Sequence, residues 1–115
     1  MSITRINSGP RMSQAVVHGD TVYTAGQVAD DRTADVAGQT AQVLAKIDAV
    51  LAEAGSNKSK ILSATIWLSD ISTFNEMNAV WDAWVDADNA PCRACVESKL
   101  ALPEFTVEIG IIAAK

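Results

Sequence analysis

The sequence has little of what metal sites, redox centres and membranes require. It holds one histidine and two cysteines in 115 residues. A structural zinc site takes about four N or S ligands, and His18, Cys92 and Cys95 fall short of that set. No segment approaches the ~20 apolar residues of a membrane span. The opening stretch "MSITRINSGPRMSQ" lacks the apolar run of a signal peptide. These absences predict a cytoplasmic protein with no metal, no cofactor and no membrane partner. Positive charge is also scarce, with nine Lys and Arg against fourteen Asp and Glu, a net charge of −5. An acidic surface repels phosphate backbones, which argues against nucleic acid as a partner.

The two cysteines are spaced C-x-x-C, a pattern that suggests redox or zinc chemistry. Their surroundings, "CRACVESKLA" (92–101), read as a β-strand. Side chains alternate faces along a strand, so positions three apart point to opposite sides of the sheet. Two reduced thiols are the expectation.

What is present is apolar. Hydrophobic residues make up 49% of the chain, enough for a core at a length near the commonest domain size. Residues 1–115 are read as a single domain. "ITRIN" (3–7), "SQAVVH" (13–18) and "TVYTAG" (21–26) read as strands, the last two around a tight His18-Gly19-Asp20 turn. Residues 36–54 change period. Thr40, Val43, Leu44, Ile47, Val50, Leu51 and Ala54 fall on one helical face, with Gln39, Gln42, Lys46 and Glu53 largely opposite. Asp35 suits the N-cap and Gly55 the C′ position.

"KILSATIWLSD" (60–70) is the next strand, with Leu62, Ala64, Ile66 and Leu68 on one face and Ser63, Thr65 and Trp67 on the other. Thr73-x-x-Glu76 has the form of a capping box. It precedes a second helix over 74–87, whose stripe is Phe74, Met77, Trp81, Trp84 and Val85. Strands at 92–101 and 106–114 close the chain and are expected to be antiparallel neighbours. The order β-β-β-α-β-α-β-β predicts an α+β fold, one mixed sheet with both helices on one face. The uncovered face would carry Tyr23, Trp67, Cys95 and Ile112. An apolar patch of that size calls for another subunit to cover it.

Chemistry-bearing residues are few. Arg93, Cys95 and Glu97 share one face of their strand. Arg93 can be an ion-pair partner or a fork that binds a substrate carboxylate in bidentate fashion. His18 reads as a solvated turn residue. Ser13, Ser63 and Ser98 have no triad-like surroundings, and the lone glycine of "TAGQ" makes no phosphate loop. Asn78 lies at the edge of the second helix's stripe, a buried hydrogen-bonder or a surface residue.

Four stretches together resemble the RidA (YjgF-like) family, nearest its short YoaB-like branch: "VYTAGQV" (22–28), "VLAEAGSNKSKIL" (50–62), "ATIWLSDISTFNEMNAVWDAWV" (64–85) and "APCRACVE…LALPEFTVEIGIIA" (90–113). The resemblance implies a chorismate-mutase-like fold assembled as a homotrimer, its three sheets forming a central barrel. It implies ligand pockets between subunits and hydrolysis of enamines or imines to a 2-oxo acid and ammonia. Arg93 matches the family arginine that clamps the substrate carboxylate, and Cys95 a cysteine whose backbone helps hold the ligand. Asn78 matches an asparagine of the family pattern and is read as structural. Met12 falls at the family's pocket aromatic. Gly110 falls where the deaminases are expected to carry a water-orienting glutamate, in the same cleft as the arginine; Glu108 cannot simply stand in, because it lies two residues away, about 6.6 Å along the strand. The expectation is a small carboxylate or imino acid ligand and at best weak deaminase activity. A non-catalytic metabolite-binding or sensing module is the alternative, with a ribonuclease or translation inhibitor less favoured because of the acidic charge.

Overall fold

The computed structural model describes residues 2–115. Three strands come first: β1 (Ile3–Ile6), β2 (Ala15–His18) and β3 (Thr21–Thr24). They form an antiparallel meander, and His18 pairs with Thr21 across the turn. Gly19 turns that corner with a φ of +61°, a conformation that costs glycine little. Helix α1 (Val36–Glu53) follows, then β4 (Ile61–Leu68), α2 (Phe74–Trp84), β5 (Cys92–Glu97) and β6 (Val107–Ala114).

All six strands make one sheet in the order β1-β2-β3-β6-β4-β5. β6, last in the chain, lies at its centre, antiparallel to β3 on one side and to β4 on the other. β5 is an edge strand parallel to β4. The expected pairing of the last two strands is therefore corrected. α2 carries the chain back across the sheet, and a helical crossover delivers a parallel strand rather than an antiparallel one. The resulting α+β architecture, a mixed sheet with two helices on one face, is the chorismate-mutase-like arrangement that the resemblance implies.

The core lies between the helices and the sheet. Ile47 and Leu51 of α1, Met77 and Trp81 of α2, Ala64, Ile66 and Leu68 of β4 and Val107, Ile109 and Ile111 of β6 are buried together. The Trp84 indole N–H donates to Asp48 at 2.9 Å and ties α2 to α1.

Both ends of α1 are closed as expected. Asp35 accepts from Gly38 N–H at 2.8 Å. At the other end Ser56 N–H reaches Leu51 C=O and Gly55 N–H reaches Ala52 C=O, a Schellman motif with Gly55 at φ +80°. Gln39 departs from the expected polar side and is fully buried. Its amide donates to Ala34 and Glu104 carbonyls, and its oxygen accepts from Thr106 N–H at 3.0 Å. A buried amide is tolerated because its groups are partnered.

Four further expectations are corrected. Thr73 makes no side-chain cap. A 3-10 turn at Ile71–Thr73 leads directly into α2, and the Thr73 hydroxyl donates back to Asp70 C=O at 2.7 Å instead. α2 stops at Trp84 because Val85 adopts extended backbone. β5 stops at Glu97, and Ser98–Thr106 is a loop. Leu62 is 52% exposed, since a register shift between Ile61 and Ser63 in the β4–β6 ladder takes it out of the core face.

Candidate functional site

The alternation of β5 decides which way its side chains face. Arg93 pairs with Ala64 and Cys95 with Ile66, both core-facing residues, so Arg93 and Cys95 project to the helix side. Cys95 packs against the core there, which corrects its expected place on the open face. Cys92 pairs with Ser63 on the opposite side, so the C-x-x-C thiols do face apart. Burial raises the Cys95 thiol pKa, although the nearby Arg93 guanidinium works the other way. A thiol so raised is a poor nucleophile at neutral pH.

Arg93 is held from α2. Its Nη1 donates to Asn78 Oδ1 at 2.7 Å. Its guanidinium carbon lies 5.3 Å from the centroid of Trp81 and 5.8 Å from that of Phe74, within cation–π reach of both rings. Phe74, Asn78 and Trp81 are spaced i, i+4, i+7 and so line one stripe of the helix. Glu97, the carboxylate on the same strand face, accepts from Ile71 N–H at 3.0 Å instead. Among the described residues the salt bridges are Arg32–Glu104 and Lys46–Asp30, and Arg93 takes part in neither.

The open face of the sheet holds a second group of residues. Trp67 pairs with Glu108 and Thr65 with Gly110. Tyr23 and Ile112, paired with each other, are 46% and 37% exposed. Residues 25–27 run beside β6, joined to it by the Gln27–Ile109 bridge. A Cβ on Gly26 would overlap the Glu108 carboxylate, and one on Gly110 would lie 3.6 Å from the Trp67 ring and 3.7 Å from Gly26 Cα. A groove of about 280 Å³ runs here past Tyr23, Gly26, Thr65, Trp67 and Gly110. Burial raises the Glu108 carboxyl above its ordinary value of 4.5.

Within one chain the predicted site residues do not all meet: Arg93 and Cys95 share a strand face, but Gly110 and Met12 lie apart from them. Arg93 is on the helix side of an edge strand, whereas Gly110 is on the open side two strands away. Met12, 48% exposed, precedes β2 in the part of the sheet away from β5. A larger cavity of about 430 Å³ under the Lys99–Phe105 loop includes none of these residues. His18 is exposed in its turn, and the Ser13 hydroxyl shares a hydrogen bond with that of Ser8. The expectation that the α2 stripe is core holds for Trp81 but not for Phe74, which is exposed; that both rings also face Arg93, and that Glu108 is a candidate, went unread. The i, i+4, i+7 spacing of Phe74, Asn78 and Trp81 was the available signal, needing only the knowledge that β5 runs beside that helix.

Comparison with known proteins agrees with this architecture. Residues 2–115 match the family model described as Endoribonuclease L-PSP. The chain is 50% identical over 114 residues to the RutC family protein YoaB of Escherichia coli K12, covering 99% of both. It superimposes with a TM-score of 0.98 on NMB1025 of Neisseria meningitidis, a member of the YjgF protein family. That pair is 48% identical, and the match covers 100% of this chain and 96% of the other. Rv2704 of Mycobacterium tuberculosis, of the YjgF/YER057c/UK114 family, gives a TM-score of 0.90 at 29% identity, covering 99% of this chain and 100% of that one.

Proposed function

Since the chain belongs to the Endoribonuclease L-PSP family of RutC and YjgF proteins, we propose that it binds small 2-oxo or 2-imino carboxylates in clefts between copies of itself in a homotrimer and hydrolyses the imines. The observation that carries this reading is the state of Arg93. It is fixed by a neutral amide and two ring faces and has no salt-bridge partner among the described residues. A cation organised without a counter-ion is suited to an anion from outside.

The need for a second copy follows from the separation of the groups. Arg93 with Cys95 forms one half-site at the sheet edge. Met12, Glu108 and Gly110 lie elsewhere on the sheet or its loops. Adjacent copies can bring the halves together, and the exposed Tyr23, Val96 and Ile112 supply apolar surface that such a contact would bury.

In the reaction, water adds to the imine carbon and the C–N bond then breaks. Nitrogen leaves as ammonia and a 2-oxo acid remains. Arg93 holds the substrate carboxylate. Gly110 brings no carboxylate to handle the water, but Glu108 projects on the same face. Its raised pKa moves it toward working pH, which suits a group that takes and returns a proton. Acid–base help of this kind is worth about 10²–10⁴ in rate. Cys95, as a neutral thiol, packs beside the arginine and contributes its backbone.

The family description names an endoribonuclease, yet a net charge of −5 offers a phosphate backbone no attraction. The deciding assay generates 2-aminoacrylate in situ and follows pyruvate release over the uncatalysed rate. Release that the protein does not accelerate, alongside saturable pyruvate binding, would leave a binding module. Absence of both would sink the proposal.

A further inference from the structure

The side chains that hold Arg93 are uncharged. Arginine pairs strongly with carboxylates where the geometry allows, and a candidate stands two residues along the same strand face. Glu97 is instead committed to Ile71 N–H at 3.0 Å. What meets the guanidinium is Asn78 Oδ1 at 2.7 Å, between the rings of Phe74 and Trp81. Both Arg93 and Asn78 are half-buried, so neither is simply solvated.

We propose that Asn78 is a positioning residue for Arg93, and that its neutrality is the functional property: the amide fixes the guanidinium fork through one N–H without neutralising it. The inference rests on the reading of Arg93 as a carboxylate clamp. The aromatic faces set the plane of the fork, because a cation is attracted to a ring face without being neutralised by it. The amide sets its rotation within that plane. The remaining N–H groups and the whole positive charge stay available to a ligand. An aspartate has nearly the same shape and an acceptor oxygen in the same place. It would hold the fork equally well but supply an internal counter-ion, with which the ligand carboxylate must compete.

Three measurements on full-length protein test this. Pyruvate binding is measured by calorimetry for wild type, Asn78→Asp, Asn78→Ala and Arg93→Ala. Thermal unfolding is followed for each. The rate of Arg93 modification by phenylglyoxal is read by mass spectrometry, with Arg5, Arg11 and Arg32 as internal controls. Asn78→Asp is expected to unfold at the wild-type temperature or above it while losing about tenfold or more in pyruvate affinity, since a charge-assisted pair forms inside the protein. A merely structural asparagine would not give that opposition. Asn78→Ala should speed modification of Arg93 several-fold and leave the other three arginines unchanged. Wild-type pyruvate affinity in Asn78→Asp would overturn the role of neutrality. An unchanged Arg93 modification rate in Asn78→Ala would overturn the positioning role. If Arg93→Ala binds pyruvate as well as wild type does, the carboxylate-clamp reading fails, while the modification rates still decide whether Asn78 holds the arginine.

Discussion

Gly26 lies so close beneath Glu108 that a Cβ at position 26 would overlap the carboxylate. The glycine of "TAGQ", too isolated to be a phosphate loop, has a steric use: it leaves room for the one acidic side chain of β6. Replacing Glu108 with Gln should reduce imine hydrolysis about 10²-fold or more, if acid–base help has its usual worth. Pyruvate affinity should change little. Equal activity in the two proteins would show that another group handles the water. Gly110→Glu, beside Trp67, is the companion variant. It restores activity to Glu108→Gln only if water can be held from either position.

The same carboxyl should be visible in the pH dependence of stability. Burial raises its folded-state pKa above 4.5, so the folded protein holds that proton more tightly than the unfolded chain does. Its contribution is present in full below the unfolded value and is lost as pH rises through the folded value. Denaturant unfolding of wild type across that window should show a decline that Glu108→Gln lacks. Parallel curves would refute the burial effect.

Arg93→Ala should abolish measurable pyruvate binding, and Arg93→Lys should weaken it, because an ammonium lacks the planar fork. Each charge-assisted bond contributes about 1.5–3 kcal/mol, roughly ten- to a hundred-fold in affinity. Calorimetry on the three proteins checks the order.

Light scattering at micromolar concentration should return three times the 12.2 kDa chain mass. A persistent monomer would leave the half-sites apart and remove the proposed cleft.

Local signals carried most of the fold. The i, i+3, i+4 stripe of α1, its Asp35 cap and Gly55 stop are each written within a few residues, and each forms as expected. Pairing between distant strands is not local. Nothing inside "TVEIGIIAA" says that it will separate β3 from β4, so its partner was misread and Cys95 was put on the wrong face. The capping box failed for a related reason: Asp70 starts a 3-10 turn that takes Thr73 out of the extended backbone a capping residue needs, and its hydroxyl turns back to Asp70 instead. Arg93 was identifiable by its motif. Its aromatic and amide neighbours become visible only once β5 is set beside β4 with α2 above.

Gly55 offers a test of the local reading. At φ +80° a side chain is strained, so Gly55→Ala should cost about 1–2 kcal/mol and lower the unfolding temperature by several degrees. An unchanged melting temperature would mean the Schellman turn relaxes without penalty.

The central place of β6 also orders events during synthesis. The meander of β1 to β3 and the parallel pair of β4 and β5 are each made before Val107 leaves the ribosome, but no strand pairing joins them until β6 slots between. Until then each half shows unpaired strand edges to its surroundings, the condition in which chains aggregate or recruit chaperones. The last strand acts as a latch, and a nascent chain of this protein is exposed to misassembly up to the moment it closes.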